Sequence, residues 1–172
     1  MNGLDTVRRS SLNTVRLQPL EPVVADAGPL HVRADQFPLV TSTRLQFVDV
    51  TDDVMARVRT LGVREGTATL QSLHTTCAVF VNESQDALCA DFQTFLESVI
   101  DPDAAWKHDD PSQSDCDRRN TDSHLRALLM SPSVTLQVSG GELVLGQWQR
   151  VFVAELDGPR TRSLRLQVMG IV

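Results

Sequence analysis

Between Gly66 and Val81 the side chains alternate in character without interruption, which fixes more about this chain than any other stretch. Leu70, Ser72, His74, Thr76, Ala78 and Phe80 point to one face, and Leu73, Thr75, Cys77, Val79 and Val81 to the other. A period of two predicts a strand, and a strand this apolar needs a sheet and a second layer to cover it. From Ser84 to Ile100 the period changes. Leu88, Phe92, Phe95, Leu96 and Val99 fall on one stripe, predicting an amphipathic helix laid on that sheet. Asn82, Ser84 or Asp86 can cap its start, and the same helix N-terminus could instead receive a phosphate.

The flanking sequence extends this α+β pattern. Phe37 to Thr43 and Arg44 to Val50 are rich in Val, Phe, Thr and Leu and predict a hairpin turning at the polar Thr-Ser-Thr. Val54, Val58 and Leu61 then recur at helical spacing behind Asp52 and Asp53, with Gly62 placed to end the helix. A short helix around His124 stops at Ser131-Pro132. Val134–Val138, Glu142–Leu145, Trp148–Leu156 and Ser163–Met169 predict an antiparallel meander, with Gly146 marking a bulge or a close backbone approach to a ligand. On this pattern Trp148 is a core residue.

At 172 residues and 41% hydrophobic, the chain suits one globular domain, read as residues 36–172, behind a poorly ordered extension over 1–35 that includes His31. No apolar run reaches membrane-spanning length. Arg8-Arg9 lacks the apolar segment an export signal needs behind it. A net charge of −6 argues against nucleic acid as a partner. Three cysteines without CxxC spacing favour a reduced, cytoplasmic setting, with Cys77 a small core residue.

The chemistry-bearing residues are His74, His108 and His124, the polar cluster of Asn82, Glu83 and Asp86, and the aspartate-rich stretch from Asp101 to Asp122, which holds Asp109 and Asn120. Aspartates in such density repel one another unless solvent or cations intervene, and imidazole beside hard oxygen ligands suits a divalent metal. A solvated loop accounts for the same composition. Arg160, Arg162 and Arg165 could pair with phosphate oxygens or simply face water.

Taken in order, His-Thr-Thr-Cys-Ala from His74, Asn-Glu-Ser-x-Asp from Asn82, His-Asp-Asp from His108, Asn-Thr-Asp-Ser-His from Asn120 and Gly-Glu-Leu-Val-Leu-Gly-Gln-Trp-Gln from Gly141 resemble the YjbQ family, often labelled secondary thiamine phosphate synthases. The resemblance covers roughly Gln36 to Gly170. Cys77, where serine is usual, and Gln147, where threonine is usual, depart from it. It implies a compact α+β domain with a mostly antiparallel, β-sandwich-like sheet and two or three helices packed outside, assembled as a homotrimer. It also implies a metal triad of His74, His108 and His124 holding zinc, magnesium or manganese. Glu83, Asp86 and Asp109 would then be the catalytic carboxylates, and Asn82, Asn120, Gly146, Trp148, Gln149, Arg162 and Arg165 the ligand contacts. The implied reaction joins hydroxymethylpyrimidine diphosphate to thiazole phosphate and expels pyrophosphate. Two alternatives stay open: a metal-dependent hydrolase of a small phosphorylated metabolite, with Asp86 or Asp109 activating water, and a non-catalytic trimeric ligand-binding protein.

Overall fold

The computed structural model describes residues 27–172. In chain order the elements are strands β1 (His31–Val40) and β2 (Gln46–Asp49), helix α1 (Thr51–Leu61), strands β3 (Glu65–Ser72) and β4 (Cys77–Asn82), helices α2 (Asp86–Val99) and α3 (Thr121–Leu129), and strands β5 (Ser133–Ser139), β6 (Glu142–Leu143), β7 (Arg150–Glu155) and β8 (Thr161–Ile171). A single 3₁₀ turn, Lys107–Asp109, interrupts the long link between α2 and α3.

Among the described residues two sheets form, both antiparallel throughout. One has the order β1-β8-β3-β5-β6, the other β2-β7-β4. Alternation along β8 puts Leu164, Leu166 and Val168 inward, against Val79, Val151 and Val153 of the smaller sheet and Val54 and Val58 of α1. The opposite face of the smaller sheet carries Ala78, Ala154 and Leu156, packed with Leu96 of α2 and with Ala127 and Met130 at α3. Strand β7 is therefore covered on both faces, which is why Val151 to Leu156 is an unbroken buried run rather than an alternating one. Phe92 ties α2 down through edge contacts to Phe47 and Phe80, each at 5.6 Å between ring centres. Where β3 and β8 cross, Gly66 lies opposite Gly170, and a Cβ on Gly66 would sit 2.7 Å from the Gly170 Cα.

Helix α1 forms as its pattern predicts and ends at Gly62 in the left-handed conformation, φ 67°. Helix α2 is capped by Gln85, whose side chain accepts from the Leu88 N–H at 2.7 Å, rather than by Asn82, Ser84 or Asp86. Four expectations need correction. Strand β1 starts at His31, so His31 to Asp35 are sheet residues paired with β8 and not tail; the remaining expectations for the extension, Arg8-Arg9 included, lie outside the described residues. The hairpin over Phe37–Val50 does not form, because β1 pairs with β8 and β2 with β7. Buried Thr41 ends β1 at the seam between the sheets, donating from its N–H to the Arg160 carbonyl at 2.8 Å and from its hydroxyl to Glu155 at 3.0 Å. The long strand breaks at Leu73–Thr76, where the chain leaves one sheet for the other. Nor is there a meander beyond β5-β6, since β7 joins the smaller sheet and β8 returns to the larger.

Candidate functional site

A glutamate inside an otherwise apolar, fully buried strand needs a charge partner. Glu155 of β7 is 0% exposed, and Arg162 of β8 reaches it through Nε at 2.6 Å and again through Nη2. The same Nη2 donates to the Thr76 hydroxyl at 3.0 Å and the Thr76 carbonyl at 3.2 Å, while each Glu155 oxygen takes one further donor, Oε2 the Thr41 hydroxyl and Oε1 the Asp157 N–H at 2.8 Å. Burial works against the Arg162 charge, but the hydrogen bonds and charge of Glu155 outweigh it and raise the pKa. This ion pair fixes three separate loops at one point. Arg162, expected as a phosphate contact, is buried and committed to this pair; Arg165, three residues further on, is exposed on the outer face of β8.

Two residues beyond Glu155, Asp157 gathers a second cluster. Its Oδ2 accepts from Arg118 Nη1 at 2.9 Å, Asn120 Nδ2 at 3.0 Å and Arg160 Nη2 at 3.1 Å. Asn120 precedes α3, and Asp109 Oδ1 caps that helix from the 3₁₀ turn, accepting from the Asn120 N–H at 3.1 Å, the Thr121 N–H at 3.2 Å and the Thr121 hydroxyl at 2.7 Å. Burial opposes the Asp109 charge, yet these donors and the adjacent His108 hold its pKa below the usual carboxylate value. The cap docks the turn on α3 and so brings His108 against His124, ring centres 5.1 Å apart and nearly perpendicular. Burial, with the neighbouring His108, lowers the His124 pKa, while Asp157, Asp109 and Asp122 pull the other way. The balance favours the neutral imidazole of His124 over the charged one.

His74 lies in the Leu73–Thr76 link. Its Nε2 accepts the Ser163 N–H at 2.7 Å, which places the ring proton on Nδ1. Burial lowers its pKa and the Arg162 charge adds to this, against Glu155. Both depressed histidines have the same linkage sign: stability is fully present above the ordinary histidine pKa of about 6.5 and is lost as pH falls below it. The urea midpoint should thus drop between pH 7.5 and pH 5. His74→Gln, which cannot titrate, should show a smaller drop; an equal one would mean His74 is not protonated on unfolding.

The structure brings together His108, His124, Asp109 and Asn120, and leaves the other expected residues elsewhere. Among the described residues no group of three or more His, Cys, Asp and Glu side chains could hold a metal ion, so the His74-His108-His124 triad is not assembled within one chain. Asn82 is exposed and its Oδ1 accepts from the Glu83 N–H; Glu83 and Asp86 are exposed beside it. Gly146 to Gln149 form a tight turn closed by bonds of 2.8 and 2.9 Å, and Trp148, expected in the core, is 64% exposed. In the β4-β7 register Asn82 pairs with Arg150 and Cys77 with Glu155. The Asn82 and Trp148 groups thus sit about 17 Å along the sheet from the Glu155 end, at some 3.4 Å per residue. Sequence reading missed Asp157, Arg118 and Glu155. The signal available was a lone glutamate in the run Val-Phe-Val-Ala-Glu-Leu, which had to be paired.

Comparison with known proteins decides the family. The profile described as UPF0047 protein YjbQ-like matches residues 35–171. The chain belongs to the YjbQ-like UPF0047 family. A UPF0047 protein of Methanothermobacter thermautotrophicus is 38% identical over 141 residues, spanning 82% of this chain and 94% of the relative. The YjbQ protein of Salmonella typhimurium is 29% identical over 123 residues, 69% of this chain and 86% of its own. Among solved structures, a YbjQ-like protein of unknown function from Sulfolobus solfataricus P2 superposes with TM-score 0.76 at 30% identity, covering 83% of this chain and 99% of that one. A hypothetical protein from Aeropyrum pernix K1 gives 0.73 at 35% identity, with 80% and 98% coverage. The α+β fold is shared with these YjbQ-like relatives. No helix among the described residues is long and apolar enough to cross a membrane.

Proposed function

We propose that the histidine pair at the start of α3 is the centre of a site acting on a small phosphorylated metabolite and releasing phosphate or pyrophosphate. One observation carries this reading: His124 stands beside His108 while Arg118 and Arg160, both partly exposed, are held together by Asp157. A cleft of about 390 Å³ lined by Asp109, Arg118 and Arg119 adjoins it, a size suited to such a ligand. The arginines would receive the phosphate oxygens, leaving donors beyond those spent on Asp157, and neutralise the leaving group. Zinc, magnesium or manganese could enter only as an additional participant, since two histidines from one chain do not make the expected triad, and no step is assigned to a metal.

Two reactions fit. In the condensation implied by the family resemblance, the thiazole nitrogen attacks the methylene carbon of hydroxymethylpyrimidine diphosphate, the carbon–oxygen bond breaks, and pyrophosphate leaves with the electron pair. In hydrolysis, favoured by His124 lying among carboxylates, water attacks the phosphorus while the imidazole takes its proton, the ester phosphorus–oxygen bond breaks, and the alcohol leaves with the electron pair and is protonated in turn. A homotrimer belongs to the same proposal. With Asn82, Gly146, Trp148 and Gln149 at the far end of the sheet, a head-to-tail ring would let one copy complete the site of the next. The test is product analysis with both substrates, with and without each metal. Thiamine phosphate would support condensation and phosphate release hydrolysis. Ligand binding without either product would replace both with a binding protein. Mixing inactive His124→Ala with inactive Trp148→Ala copies should restore activity if copies share a site; no restoration would sink the shared site.

A further inference from the structure

A cleft of about 710 Å³ contains neither His108 nor His124. It lies between the Thr43–Leu45 corner, the Gln93 and Glu97 side of α2, Pro102, and Asp122 and Arg126 of α3. At its base one buried carboxylate serves two guanidinium groups: Asp122 Oδ1 accepts from Arg44 Nη2 at 2.9 Å, and Asp122 Oδ2 lies 2.9 Å from Arg126 Nη1 in a geometry that misses a hydrogen bond. The trio carries a net positive charge.

Arg126 is the unusual member. It is 4% exposed, and its Nε–H has no acceptor among the described residues. Nη2, which shares an edge of the guanidinium with Nε, makes only a long 3.3 Å bond to the Ile100 carbonyl. That edge is the one that grips a carboxylate or phosphate through two parallel bonds, and a buried charged donor left unmet is costly. Arg44, with its side chain 53% exposed, spends only Nη2, on Asp122 and on the Arg119 carbonyl. Leu45 and Pro102 supply an apolar wall, and Gln93 and Glu97, joined at 2.9 Å, a polar rim.

We propose that this cleft is a second ligand site, separate from the histidine pair, for the oxyanion of a small organic acid or phosphate ester, gripped by the Nε–Nη2 edge of Arg126 and by Arg44. Titration of the full chain with succinate and, separately, inorganic phosphate, followed by ¹H–¹⁵N NMR at low ionic strength, tests it. The Arg126 Nε–H signal and the Leu45 and Gln93 amides should shift saturably, and the probe that does so identifies the anion class. Arg44→Ala should weaken this binding at least fivefold. Arg126→Lys, which keeps the charge but not the fork, should abolish it with the Asp122 pair and the fold retained. No saturable shift at Arg126 with either probe, or equal affinity in folded Arg44→Ala, would overturn the proposal. Using residue-resolved signals keeps it independent of any phosphate bound at Arg118 and Arg160.

Discussion

Replacing Arg162 by alanine is expected to cost about 3–5 kcal/mol of folding stability, the range found when one partner of a buried ion pair is removed. The cost comes from what is left behind. Glu155 is wholly enclosed and would keep only the Thr41 hydroxyl and the Asp157 N–H as donors to its charge. Thr76 would lose the guanidinium that holds its carbonyl and hydroxyl, freeing the link that carries His74. For an ordinary urea dependence of about 2 kcal/mol per molar, the midpoint should fall by roughly 2 M. The matched double variant Glu155→Leu with Arg162→Met removes the stranded charge and should lie above the single variant, since apolar replacement of a whole buried pair is often tolerated. An alanine variant within about 1 kcal/mol of the parent would show that water reaches Glu155 and that the pair does not lock the seam.

That seam also explains what sequence reading could and could not recover. Helices α1, α2 and α3 were legible because their apolar period, acidic first turns and Gly62 are local signals. Most strand positions were legible for the same reason, since alternation reports which side chains face inward; β7, covered on both faces, shows none. Partnership was not. Alternation runs through Leu73–Thr76 as smoothly as through β3 and β4, and what bends the chain there is Arg162, distant in sequence, taking the Thr76 carbonyl, and Ser163, exchanging bonds with Leu73 and His74. Likewise Thr41 ends β1 only because Glu155 and Arg160 are waiting. The candidate site divides along the same line. His108, Asp109, Asn120 and His124 are neighbours in an unusually polar stretch, and the Asp109 cap is enough to fold them onto one another. His74, Asn82 and Trp148 are strand-end residues, and their relation to that group depends on sheet pairing. Asp157 stands in an Asp-Gly-Pro-Arg sequence of ordinary turn composition, and only the fold reveals the three donors converging on it.

Replacing His124 by asparagine should lower turnover by about 10²–10⁴-fold, the usual contribution of a positioned acid–base group, while leaving KM within a fewfold of the parent. Asparagine preserves a polar, similarly sized side chain on α3 but cannot accept a proton. The imidazole is half-buried against His108, and its lowered pKa keeps the accepting form populated at neutral pH and for some distance below. An attacking water must lose a proton, so parent activity should hold through pH 7 and fall only below about 6.5, as the imidazole becomes protonated. The variant should lose that acid limb, not merely its height, which a structural role for His124 would not produce. Arg160→Lys gives the complementary split: the charge remains but the planar guanidinium that bonds Asp157 through Nη2 is gone, so KM should rise with turnover largely kept. If His124→Asn retained the acid limb, proton transfer would belong to another group, and His108, in edge contact with the same ring, would be the residue to vary next.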